Sequence, residues 1–321
     1  MKVILVSGAS GIVGYGILNC LRESADPYVL IGTTISSRSV APAFCDIVEI
    51  VPKTISKDYL SCLYNIVTRH KVDMIVPGIE DDMFFWNRHR DEFSRLGVFP
   101  LLNNASLIDL CADKWKFYER LRLSDANNYA IPTFRADDFA ALPIPFLLKP
   151  IHGYGSKGIV TIDNRESFEW HTRKNPNAYI MQPIVGSDDE EYSVSAFFDE
   201  DSVLLDALAL KRRLSQTGFT ESAETVFRDD IEVAIRRLAD VFKPIGPTNF
   251  QFRMTCDGLK LLEINPRISS ATSIRAKFGY NENVMSVEYF LNKKIPGKSE
   301  KRSGWVVRYT TDKVFYDSDI I

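Results

Sequence analysis

The sequence predicts a mixed fold, α/β over about the first hundred residues and α+β beyond. Three observations carry this reading. Short apolar runs alternate with helical segments as far as residue 100. A glycine-rich turn joins the first run to the first helix. After residue 110 the strand signals follow one another with fewer helices between them. Residues 3–6 read as a buried strand and residues 12–23 as an apolar helix. Residues 29–33 and 74–77 are further strands, and 57–70 carries Leu60, Leu63, Tyr64 and Val67 at helical spacing. This alternation implies a doubly wound parallel sheet. A boundary is expected between Pro100 and Ala105, where Asn103 and Asn104 can start a new helix.

An amphipathic helix follows Asp113 and ends near residues 125–128. Strands are expected at 145–150, 158–162 and 178–183, with a helix at 167–174. Residues 192–198 and 203–210 should pair across the acidic turn at 199–201, and helices should cover 229–241 and 283–291. Residues 214–225 are polar and read as a loop. The run from Gly304 reads as a final edge strand. The stretch 248–267 divides into two strands joined at Cys256-Asp257-Gly258, where glycine supplies the positive φ of a tight hairpin. With those three residues as the loop, Gln251 lies opposite Glu263. Alternation then puts Glu263 and Asn265 on one face with Arg267 just beyond. Hard oxygen ligands beside a guanidinium suit Mg²⁺ holding a polyphosphate.

Composition narrows the function classes. A length of 321 residues suggests two domains, and a net charge of −3 without a long basic run offers nothing to nucleic acid or an anionic membrane. Five scattered cysteines without a Cys-x-x-Cys pair argue against a disulfide framework or a zinc site. With no signal peptide or long apolar span, a cytoplasmic protein is expected.

Two glycine clusters compete. Gly8-Ala-Ser-Gly11-Ile-Val-Gly14 lies between strand and helix and resembles the nucleotide fingerprint of short-chain dehydrogenases, with Arg38 available to a 2′-phosphate. An NAD(P)-dependent reductase is therefore the alternative reading. Its Tyr289-x-x-x-Lys293 pair sits too near the C-terminus, and the bland account of the loop is a tight turn that binds nothing. The second cluster, Lys149-Pro-Ile-His152-Gly153-Tyr-Gly155-Ser156-Lys157-Gly158, reads as a hairpin tip whose backbone N–H groups and lysines can surround phosphate.

Gln251-Phe-Arg, Glu263-Ile-Asn265-Pro-Arg267 and Ser269-Ser270, together with Leu-Leu-Lys149-Pro, resemble the ATP-grasp superfamily, in particular its carbamoyl-phosphate synthetase group. The resemblance implies a Rossmann-like N-terminal domain over 1–104 followed by an ATP-grasp fold over 105–321. A small mobile lid would span about 115–183 and a catalytic subdomain about 184–321. It implies that Lys114, Lys149, His152, Gly153, Gly155, Ser156, Lys157 and Gly158 bind ATP, with Gln182 and Ile184 on the strand that recognises adenine. Glu191 would accept the ribose hydroxyls, with Glu190 as the fallback. Gln251, Glu263 and Asn265 would hold Mg²⁺, or Mn²⁺ in its place, and Arg267 would stabilise the transferred γ-phosphoryl group. Gln182 and Gln251 depart from the acids many relatives carry. The implied activity joins a small-molecule carboxylate to an amine through an acyl phosphate; a regulatory nucleotide-binding protein without turnover is the third reading. Lys211-Arg212-Arg213 and Arg275-x-Lys277 are candidate holders of an acidic acceptor, or else solvated charge. A homodimer is left open.

Overall fold

The computed structural model describes every residue except Tyr154, Ser156, Gln216, Thr217 and 317–321. By contacts it divides into two units. One comprises Met1–Leu102, Thr220–Ser222 and Ile268–Ile321, the other Asn103–Phe219 and Ala223–Arg267. This cuts the chain differently from a division at residue 104, because Ile268–Ile321 groups with Met1–Leu102.

The first unit opens with β1 (Lys2–Val6), α1 (Ile12–Arg22), β2 (Tyr28–Thr34), β3 (Ile47–Ile50) and α2 (Tyr59–His70). It continues with β4 (Met74–Val76), α3 (Glu80–Arg88), α4 (Arg90–Arg95) and β5 (Phe99–Pro100). The strands lie in the order β3-β2-β1-β4-β5, all pairs parallel. Ile4, Leu5, Leu30, Met74 and Ile75 are fully buried, as expected for a parallel sheet covered on both faces. The strand β3 was not foreseen: Ile47-Val-Glu-Ile50 is short and only partly buried.

The second unit begins with α5 (Ala105–Cys111), capped by Asn104 accepting from Ser106 N. Next comes α6 (Lys114–Arg122), capped by Asp113 accepting from Trp115 N and Lys116 N. A small sheet of β6 (Phe134–Arg135), β7 (Phe146–Pro150), β8 (Val160–Ile162) and β9 (Tyr179–Pro183) follows, with α7 (Arg165–Thr172) between the last two. Its order is β6-β9-β7-β8. Phe146, Leu148, Ile162, Phe168 and Met181 form its core. The larger sheet contains β10 (Glu191–Phe198), β11 (Leu204–Leu214), β12 (Thr220–Val226), β13 (Gly246–Thr255) and β14 (Gly258–Asn265). The amphipathic α8 (Asp229–Phe242) precedes β13. Tyr192, Val194, Ala196, Phe250, Phe252 and Leu261 on one face of this sheet share a core with Ile231, Ile235 and Leu238 of α8. The expectation of a loop over 214–225 fails, since Thr220–Val226 is strand; Thr220 and Ala223 are buried and anchor it. Gln216 and Thr217 of that expectation lie outside the described residues.

The chain then adds α9 (Thr272–Lys277), α10 (Glu282–Ser286) and β15 (Trp305–Val307) to the first unit. Gly16 of α1 faces Thr272, Asn281 donates to Cys20 O, and Phe99 stacks on Phe290. No helix among the described residues is long and apolar enough to cross a membrane.

Candidate active site

The hairpin of β13 and β14 places the expected metal ligands. Gln251 does face Glu263, and Asn249 faces Asn265, but the route differs from the one expected. Thr255 pairs with Gly258, so the connecting loop has two residues instead of three. A β-bulge restores the register: Phe252 pairs with Leu261 and Gln251 with Glu263, leaving Leu262 as the extra residue. The bulge decides which way the acid points. Leu259 and Leu261 enter the core, and strict alternation would send Glu263 after them. One inserted residue turns Glu263 and Asn265 to the other face and returns Ile264 to the core.

That polar face continues across the sheet, because Ser193 pairs with Gln251 and Ser195 with Asn249 on β10. Ser193 Oγ donates to Asn249 Oδ1 at 2.9 Å, Asn265 Nδ2 to Glu263 Oε1 at 2.8 Å, and Arg267 to Asn265 Oδ1 at 3.3 Å. The donor set is one carboxylate and two amides, all hard oxygens, which fits Mg²⁺ better than a softer ion. Among the described residues no group of three or more His, Cys, Asp or Glu could hold a metal ion.

Next along the face comes a buried ion-pair cluster, with further pairs at the sheet edge around it. Arg253 of β13 and Arg212 of β11 flank Glu191 of β10. Arg212 donates to Oε1 (2.9 Å) and Arg253 to Oε2 (2.8 Å), with Glu191 and Arg212 almost wholly buried. Lys211 pairs with Glu190 at 2.5 Å, Arg213 with Asp189 at 2.6 Å, and Arg253 also with Asp188 at 2.9 Å. The basic run 211–213 is therefore matched rung for rung by the acids at 189–191. Glu191 has an arginine on each oxygen. Glu190, held by Lys211 and Tyr192 Oη, has its carboxyl kept below the usual range, first by the Lys211 hydrogen bond. Arg253 is not named in the sequence reading, and Arg212, named there as a candidate holder of an acidic acceptor or as solvated charge, is buried against Glu191; the opposed runs Asp188-Asp-Glu-Glu191 and Lys211-Arg-Arg213 are the available signal of that pairing. Arg275, offered as a holder of an acidic acceptor or as solvated charge, is fully buried 3.6 Å from Glu282, and Lys277, offered with it, pairs with Glu23.

Of the two lysines expected to meet phosphate, Lys149 stands on β7 of the small sheet and Lys114 opens α6. Phe146 and Leu148 turn into its core, so Lys149 projects from the opposite face, the face that also carries Gln182. Lys149 keeps some solvent contact, yet dense surrounding protein lowers its pKa to about 8. Glu263 opposes that shift, and Lys114 and Arg253 add to it. Lys149 thus feels the charges of both Lys114 and Glu263. Lys114 Nζ donates to Gly153 O at 2.6 Å, and the ring Nδ1–H of His152 donates to Ala112 O at 2.9 Å. The first ties the start of the glycine loop to α6, the second to the end of α5. Gly153, Gly155 and Gly158 all have positive φ, while Lys157 is exposed; Ser156 lies outside the described residues. Gln182 donates to Thr133 Oγ1 at 2.8 Å, and Ile184 is 44% exposed just beyond β9.

In the first unit the turn at residues 8–14 is closed on itself. A Cβ at Gly14 would stand 2.2 Å from Gly8 O, and one at Gly78 would stand 2.0 Å from Ser7 O. Ala9 N is spent on Thr33 O and Gly11 N on Gly8 O. Backbone crowding accounts for Gly14 and Gly78, and a φ of +60° accounts for Gly8.

Solved structures share this architecture. N5-carboxyaminoimidazole synthetase from Staphylococcus aureus, complexed with ADP, superposes with a TM-score of 0.73 at 15% identity, over 94% of this chain and 80% of that one. A biotin carboxylase from Campylobacter jejuni gives 0.69 at 13%, over 89% and 70%. An L-amino acid ligase from Bacillus licheniformis gives 0.67 at 14%, over 90% and 74%. At such identities the likeness establishes the fold, which is that of ATP-grasp proteins. Family models agree: residues 178–313 match "ATP-grasp in the biosynthetic pathway with Ter operon", and residues 16–101 match "PylC-like, N-terminal domain". Residues 178–313 thus match an ATP-grasp family model within a fold shared with these solved structures.

Proposed function

We propose that the protein is an ATP- and Mg²⁺-dependent ligase that activates a carboxylate as an acyl phosphate and joins it to an amine. The observation carrying this reading is the single polar face on which Gln251, Glu263 and Asn265 stand in register beside Arg267. The likeness to an L-amino acid ligase and to carboxylases supports it. Gln251, Glu263 and Asn265 would hold Mg²⁺, which when bound neutralises polyphosphate charge. Lys114, Lys149 and the backbone of Gly153–Gly158 bind the phosphates of ATP, and the edge at Gln182–Ile184 receives the base. A carboxylate oxygen of the acid attacks the γ-phosphorus while the bond to the ADP oxygen breaks. Amine nitrogen then attacks the acyl carbon, the C–O bond to phosphate breaks, and the nitrogen loses a proton. A carboxylate is already nucleophilic, so catalysis is positioning plus electrostatic stabilisation, with Arg267 facing the charge on the transferred phosphoryl group.

The test is ADP release with Mg²⁺–ATP and a panel of carboxylic acids and bicarbonate, using hydroxylamine to trap acyl phosphate as hydroxamate. Acid-dependent hydroxamate is expected. Arg267→Ala should lower kcat by about 10²-fold or more with little change in nucleotide affinity. Nucleotide binding without acid-dependent turnover across the panel would leave a binding protein in place of the ligase.

A further inference from the structure

The segment that follows β9 is held against β13 by one side chain, and this geometry points to a role for Arg253. Its guanidinium donates to Val185 O at 3.4 Å, to Asp188 Oδ1 at 2.9 Å and to Glu191 Oε2 at 2.8 Å. Three anchors along residues 185–191 thus meet at one planar fork, a geometry a point-charge ammonium cannot reproduce. The backbone is built for that approach. Gly186 has φ +60°, and a Cβ there would lie 2.5 Å from Met254 O and 2.8 Å from Arg253 Cγ. Glu191 is fixed from its other side by Arg212, so the fork cannot swing with its acid. On β13, Arg253 stands two residues from Gln251 and projects from the same face.

We propose that Arg253 is a positioning residue that sets the path of residues 184–188, and through it the fit of the nucleotide base, relative to the metal-binding end of the hairpin. The inference rests on the reading that Gln182–Ile184 receives adenine. Arg253 is not placed in contact with nucleotide; it acts through the backbone at Val185. Losing it frees the edge that discriminates the base while leaving Gln251, Glu263 and Arg267 in their register.

The experiment measures Mg²⁺–ADP and Mg²⁺–GDP affinity by calorimetry for the wild type, Arg253→Met, Arg253→Lys and Gly186→Ala, with the melting temperature of each. The wild type should prefer ADP. Arg253→Met and Gly186→Ala, which disturb the same segment from two sides, should each weaken ADP about 10-fold and narrow the ADP/GDP ratio. Arg253→Lys should restore stability but not the ratio. Folded variants with an unchanged ratio, or a lysine variant that fully recovers it, would overturn the inference. A wild type that binds neither nucleotide would overturn the functional reading itself.

Discussion

Replacing Lys149 by methionine should make the nucleotide-free protein more stable. Burial and the cations Lys114 and Arg253 bring the ammonium to about 8 from an ordinary 10.5, only partly offset by Glu263 and Glu191. At 1.36 kcal/mol per tenfold change in proton affinity, holding that charge costs the folded state up to about 3 kcal/mol. Residual solvent contact reduces the expected gain on substitution to about 1–2 kcal/mol. The sign follows from linkage. Below pH 8 the lysine is charged both folded and unfolded, and the whole cost is present. Between pH 8 and 10.5 the folded state releases the proton first, so wild-type stability rises with pH relative to the variant. A gain of 1–2 kcal/mol corresponds to roughly 2–8 °C for a domain of 150–250 residues. The assay is a pair of thermal melts, at pH 7 and at pH 10, following the transition of the unit that carries Lys149. Lys149→Met should melt higher at pH 7, the gap should shrink at pH 10, and Mg²⁺–ADP should no longer stabilise it. A variant that melts lower at pH 7, or a gap independent of pH, would refute this account of the lysine.

Glu263→Gln should keep the fold while removing most of the Mg²⁺ dependence of nucleotide binding; calorimetry with and without EDTA measures it, and unaltered Mg²⁺ dependence would move the metal elsewhere. Deleting Leu262 removes the bulge and makes Leu261 and Glu263 neighbours, so strict alternation still points Glu263 out and Ile264 into the core; a folded variant that keeps Mg²⁺-dependent nucleotide binding is expected by calorimetry, and loss of that binding would mean that the bulge itself shapes the site. Glu282 is fully buried beside Arg275, so Glu282→Ala should cost about 3–5 kcal/mol, read in urea titration. Asp113→Ala removes the cap of α6 and should cost about 1 kcal/mol.

Elements with strong periodicity were legible. The helix 57–70 differs from Tyr59–His70 only at its start, and the strand at 192–198 gains a single residue. The pairing of Gln251 with Glu263 was legible too, though through compensating details: a shorter loop and a bulge that spacing alone does not separate from a longer loop. Arg212 and Arg253 were not legible as the partners of Glu191. They lie 21 and 62 residues from Glu191, and only strand pairing reveals that the three share a face. The strand at 220–226 was obscured because its two buried residues, Thr220 and Ala223, lie three apart, each followed by an exposed glutamate, a spacing without the two-residue alternation that marks a strand. The return of residues 268–321 to the first unit leaves no local mark in the sequence.

That return has a temporal side. During synthesis, Met1–Leu102 emerges first, yet α9 and α10, whose residues cover the flank of α1 at Gly16 and Cys20, come only after about 165 further residues. At 5–20 residues per second this is a delay of roughly 8–33 s. A parallel sheet with an uncovered flank is slow to form and prone to association in that interval. The second unit, continuous but for three residues, meets no such wait. A nascent chain stalled before residue 268 should therefore hold a settled second unit and a first unit still dependent on chaperones.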